Sequence, residues 1–180
     1  MRSLYDFIVK PFKERYNNTK KFNGGELILN TDIFQHQYVN REAIGAGNTS
    51  EEYLATPPVQ IPTNGVLHFY TRMFTSGNQG TIYQIKVASV TTGTQTNPND
   101  YILVQQWSED ELITPTSNFN VYTEKTVDLG TAFGGQFVYV AFVKVYTQPD
   151  GNTGGDRWLI DDVSIDAPCL APTGLASSLI

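Results

Sequence analysis

Hydrophobic and aromatic residues recur in six short blocks over the last two-thirds of the chain. They are Val66–Phe74, Thr81–Val90, Tyr101–Trp107, Val121–Leu129, Gln136–Tyr146 and Arg157–Ile165, all rich in β-branched and aromatic side chains. Turn-forming clusters part several of them: Ser76-Gly-Asn-Gln-Gly80, Thr96-Asn-Pro-Asn-Asp100 and Gln148-Pro-Asp-Gly-Asn-Thr-Gly-Gly155. No helical period survives between the blocks. Six strands without intervening helices predict an all-β fold, with antiparallel sheets packed face to face as a jelly-roll-like β-sandwich. The run 137–143 is apolar on both faces and reads as a central strand. Thr81–Val90 carries Gln84 and Lys86 and reads as a strand open to solvent.

Residues 1–45 pattern differently. Phe7-Ile-Val and Glu26-Leu-Ile-Leu29 read as two short strands around the turn signal Asn23-Gly-Gly25. This portion has seven basic and five acidic residues, a net of +2, whereas the rest has five basic and thirteen acidic, a net of −8. The contrast, with the joint-like Gly45-Ala-Gly-Asn-Thr-Ser50, divides the chain into an N-terminal docking segment (1–45), a sandwich domain (46–167) and a Pro-containing linker-like tail (168–180).

Composition narrows the function. The net charge of −6 over 180 residues denies nucleic acid the broad basic surface it needs. No apolar run approaches the roughly 18 residues of a membrane span, and the first ten residues lack the apolar stretch of a secretory signal. The single cysteine, Cys169, closes no internal disulfide and supplies no Cys-rich zinc site.

Five blocks occur in an order that resembles the cleaved-adhesin and choice-of-anchor J modules of bacterial surface proteins. They are Glu52-Tyr-Leu-Ala-Thr-Pro-Pro58, Leu67-His-Phe-Tyr-Thr-Arg72, Lys125-Thr-Val-Asp-Leu129, Phe133-Gly-Gly-Gln-Phe-Val-Tyr-Val-Ala-Phe142 and Gly155-Asp-Arg-Trp-Leu-Ile-Asp-Asp-Val-Ser-Ile165. The last is also similar to the end of a MAM domain. The resemblance spans about 50–167 and implies a noncatalytic jelly-roll module, often calcium-bound, displayed outside the cell for cell adhesion or carbohydrate binding. Tyr5–Arg15 with Gly24–Leu29 is similar to the opening of co-chaperonin-like proteins of tailed phages. Without a secretory signal, that similarity implies display on a virion, with capsid or other virion proteins as partners of the first 45 residues. The alternative is a structural virion protein without a ligand.

Several residues are candidates for chemistry. Strict alternation sets Asp161 beside Leu159, Val163 and Ile165, and Asp162 beside Trp158, Ile160 and Ser164, so one carboxylate lies on an apolar face. Such a group needs a partner or a metal: calcium, which takes six to eight oxygens, suits Asp161 and Asp162 with Asp156, Glu51 and Glu52 from loops, and the alternative is that these aspartates cap turns or accept backbone N–H bonds. Trp107-Ser-Glu-Asp-Glu111 places Glu109 and Glu111 on one strand face, the arrangement a retaining glycosidase uses, but a run of acids is more often a solvated turn. His36, His68 and Cys169 fall in no ligand or nucleophile pattern, and Asn17 and Asn48 only match glycosylation acceptors. Tyr70, Trp107, Tyr122, Tyr146 and Trp158 form the pool of rings for stacking on a cell-surface glycan.

Overall fold

The computed structural model describes residues 37–39, 44–113, 119–151 and 154–167. The expected strands at 7–9 and 26–29, most of the docking segment, the tail, His36, Cys169 and Asn17 lie outside them. Nine strands are described: β1 (Gln37–Val39), β2 (Thr49–Ala55), β3 (Val59–Gln60), β4 (Val66–Met73), β5 (Thr81–Ser89), β6 (Ile102–Ser108), β7 (Thr123–Asp128), β8 (Phe137–Thr147) and β9 (Trp158–Asp166). All their pairings are antiparallel. A four-stranded sheet runs β1-β9-β4-β7, and a five-stranded sheet runs β2-β8-β5-β6 with β3 added to β8. Among the described residues two one-turn α-helices, α1 (Glu109–Leu112) and α2 (Gly130–Phe133), and a 3-10 turn at Pro98–Asp100 interrupt the strands.

The core lies between the sheets, because alternation sends one face of each strand inward. Leu67, Phe69 and Met73 of β4 and Trp158, Ile160, Val163 and Ile165 of β9 meet Tyr83, Ile85 and Val87 of β5 and Val138, Val140 and Phe142 of β8. Phe69 sits edge-on to Phe142 at 5.1 Å, and Trp158 lies 5.0 Å from the Tyr83 ring. The apolar block 137–143 is a central strand, as its pattern predicts. Thr81–Val90 is β5, which is also interior to its sheet: Thr81, Tyr83, Ile85 and Val87 are buried, while Gln84 and Lys86 stand half-exposed on the other face, the side on which the strand meets solvent.

Two boundary features follow from the pairing. Gln37–Val39, assigned by sequence to the docking segment, add an edge strand to the four-stranded sheet beside Trp158–Ile160. The joint-like stretch after Ile44 is tied down: the Ile44 and Gly45 amides donate to Gln148 Oε1, and the Gly47 amide to the Gln148 carbonyl.

The closing strand departs from strict alternation, and this moves both aspartates. Opposite β4 the register shifts between His68, which faces Ser164, and Tyr70, which faces Asp161. The extra residue is a β-bulge with Asp162 at φ 46°, a left-handed conformation that Asp tolerates better than most side chains. Parity therefore changes at the bulge. Trp158, Ile160, Val163 and Ile165 all share the core face, while Asp161 is half-buried and Asp162 exposed on the other side. The expectation of a carboxylate on an apolar face is thus corrected. Replacing Asp162 by glycine is expected to leave unfolding free energy within about 0.5 kcal/mol, whereas Asp162→Val, which resists positive φ, should cost about 1–2 kcal/mol. Chemical denaturation of both variants checks this, and equal costs would contradict a bulge held by backbone conformation.

Candidate functional site

The outward positions of the four-stranded sheet build an open, polar and aromatic face. On β4, Leu67, Phe69, Thr71 and Met73 are buried, so His68, Tyr70 and Arg72 stand on the outside. Glu124 on β7 and Asp161 on β9 flank Tyr70 directly, and His68 lies between Thr126 and Ser164. Tyr70 is 39% exposed. His68 Nδ1 lies 3.1 Å from Glu124 Oε1. The Arg72 guanidinium sits 5.4 Å from the centre of the Tyr122 ring. Burial pushes the Tyr122 hydroxyl upward in pKa, opposed by a hydrogen bond and the positive charge of Arg72 and reinforced by the negative charge of Asp161. Tyr70 and Tyr122, two of the five rings picked from the sequence, therefore share this face with Asp161, Arg72, His68 and Glu124.

The other three rings do not reach it. Trp158 and Tyr146 are buried, and Trp107 is partly buried against the core edge-on to Phe69. A ring inside the core has no face to offer a sugar. The indole N–H of Trp158 donates to Thr71 Oγ1 at 2.7 Å, so its polar end is also satisfied internally.

Nor are the five carboxylates proposed for calcium gathered together. Glu51 and Glu52 stand on β2, in the other sheet from Asp161 and Asp162. Glu51 accepts from Lys86 Nζ at 2.9 Å and from the Tyr53 hydroxyl at 2.7 Å, and Glu52 pairs with Lys144 at 2.9 Å. Asp156 is wholly buried and accepts from the amides of Phe74, Thr75 and Arg157. The glycine before it is required: Gly155 has φ 67°, and a Cβ there would lie 2.8 Å from the Tyr146 ring. Asp156 thus anchors the β4–β5 loop. Among the described residues, no three His, Cys, Asp or Glu side chains converge as a metal site would require.

The expected strand geometry of Glu109 and Glu111 is corrected as well. Both lie in α1, which Ser108-Glu-Asp-Glu111 opens as a capping box. Glu111 folds back to accept from the Ser108 amide and hydroxyl at 2.8 and 2.9 Å, which holds its carboxyl below the usual range. Glu109 turns inward and accepts from the amides of Gln79 and Thr81. Its burial raises its pKa, partly offset by those bonds, and the charge of Asp156 adds to the rise. One acid caps a helix and the other fastens the same loop that Asp156 holds. They are not paired across a cleft.

Comparison with known proteins adds a sequence relationship. Over 128 residues, 64% of the chain, it is 31% identical to Hemagglutinin A of Porphyromonas gingivalis. The similarity is to a bacterial hemagglutinin. The chain spans only 4% of that protein's length. No family model matches. Among solved structures, the K1 cleaved adhesin domain of Lys-gingipain from P. gingivalis is 18% identical, covering 82% of this chain and 93% of that one at a TM-score of 0.42. The K3 domain of the same protein is 20% identical, covering 63% and 62% at a TM-score of 0.41. Among the described residues, no helix is long and apolar enough to cross a membrane.

Proposed function

We propose that this chain is a noncatalytic, adhesion-type module that grips a cell-surface glycan or protein through the outer face of its four-stranded sheet. The observation that carries the reading is the exposed Tyr70 ring set among Glu124, Asp161, Arg72 and Tyr122 on the outer face of the sheet. A flat ring edged by hydrogen-bonding groups is a surface suited to contact. The 31% identity to a protein named a hemagglutinin supports the reading. The carboxylates that a hydrolytic reading would enlist are instead committed to a cap and a loop anchor.

Fluorescently labelled protein incubated with erythrocytes and read by flow cytometry provides the test. Wild type is expected to bind saturably, and Tyr70→Ala, with an unchanged melting midpoint, to bind at least fivefold less. Equal binding by the two proteins would refute this face as the contact surface.

A further inference from the structure

We propose that this face takes a cationic partner: a lysine- or arginine-bearing protein segment whose charged head sits over Tyr70 between Glu124 and Asp161. The inference rests on the reading of this face as the contact surface, and it names the chemistry of what is gripped.

The first support is the disposition of charge. Residues 46–167 carry five basic and thirteen acidic side chains. All five cations already have partners within the chain. Lys86 pairs with Glu51 and Lys144 with Glu52, both at 2.9 Å. Arg72 lies over Tyr122 and Arg157 over Phe74, at 5.4 and 4.4 Å. Lys125 Nζ donates to the Glu111 carbonyl at 3.1 Å. The excess negative charge of this portion repels an anionic partner and draws in a cationic one, which would join the His68 contact that Glu124 already makes.

The second support is local. Glu124 and Asp161 stand directly across from Tyr70 on its two neighbouring strands. Directly opposed side chains on adjacent strands have Cβ atoms about 5 Å apart, so both carboxylates lie within reach of a charge held over the ring. The face already uses this chemistry once, in Arg72 over Tyr122. Tyr70 is the more exposed ring, and among the described residues none of the chain's own cations lies over it. Aromatic faces bounded by carboxylates recognise ammonium and guanidinium groups by cation–π attraction and charge-assisted hydrogen bonding.

The test uses the full chain and a synthetic peptide bearing four lysines, compared with the same peptide acetylated at every Nζ, by biolayer interferometry at two salt concentrations. Acetylation keeps the aliphatic stems and replaces each charged ammonium with a neutral amide. The lysine peptide is expected to bind, with at least tenfold weakening on acetylation and a further loss at high salt. Tyr70→Ala should weaken it about tenfold and Glu124→Gln several-fold, whereas Tyr70→Phe retains binding. Asp110→Asn, the same charge change in α1 and outside this sheet, should leave it unchanged. Equal binding of the acetylated peptide, or an Asp110→Asn effect as large as that of Glu124→Gln, would overturn the proposal. A neutral oligosaccharide that binds wild type but not Tyr70→Ala, with no peptide binding, would overturn the cationic partner while sparing the face. Erythrocyte binding indifferent to Tyr70→Ala would instead remove the face itself.

Discussion

Substituting Lys144 by methionine is expected to destabilise the protein by about 3 kcal/mol, the cost of leaving the partly buried Glu52 carboxylate without its counter-charge. Lys144 is 1% exposed and occupies a core-facing position of β8, in step with Val138, Val140, Phe142 and Tyr146. Glu52 stands directly across from it on β2. The two charges lie 2.9 Å apart, and the lysine ammonium has been drawn from water into the rim of the sandwich. At a few degrees per kcal/mol, the melting midpoint should fall by roughly 10 °C. The double variant Lys144→Met/Glu52→Leu removes both charges and should recover most of the loss, since a well-packed apolar pair can match a buried ion pair. Thermal melts of the two singles and the double complete the cycle. A Lys144→Met protein within about 1 kcal/mol of wild type would mean that the pair is solvated.

An effect of similar size is expected at Trp158, for a different reason. Its ring packs against Phe69, Tyr83 and Phe142 with centres 6.4, 5.0 and 5.6 Å away, so truncation opens a cavity between the two sheets. Trp158→Ala should cost about 3–5 kcal/mol. Trp158→Phe retains much of the packing but removes the N–H donor to Thr71 Oγ1; that hydroxyl still donates to the Leu159 carbonyl at 2.9 Å, so about 1–2 kcal/mol is expected. Denaturant titrations at constant slope check both values. Erythrocyte binding of the folded Trp158→Phe protein should equal that of wild type, since the ring faces inward. A large loss of affinity at unchanged fold would contradict its placement as core.

The strands were legible because β-branched and aromatic residues cluster in them and turn residues part them, and no helix-period pattern competes. Their parity was not legible at one place. Counting by twos through Trp158–Asp166 assumes an uninterrupted strand, and a single left-handed residue at Asp162 reverses the faces beyond it. Asp-Asp in a strand, short polar residues where a β-branched one would be usual, was the available signal. At Ser108–Glu111 the serine followed three residues later by glutamate was also open to reading as a capping box, and would have withdrawn Glu109 and Glu111 from one strand face. The burial of Lys144 is not legible in the sequence, because a single cation at the end of an apolar run looks like a strand leaving the core. Only the pairing of β2 with β8 supplies its glutamate. Of the rings, alternation along β4 already separates Tyr70 from Phe69. Nothing short of the tertiary packing separates the exposed Tyr70 from the buried Tyr146 or Trp158, since large amphipathic rings serve cores and surfaces alike.

The most direct test sets the two outer faces against each other in the erythrocyte assay. One group of variants alters the four-stranded sheet, at Tyr70, Tyr122 and Glu124, and the other alters outward positions of the five-stranded sheet, at Glu51, Gln84 and Tyr139, each protein being matched for its melting transition. Binding lost only in the first group is the predicted outcome. Binding lost in the second group while the first stays intact would place the gripping surface on the opposite side of the sandwich.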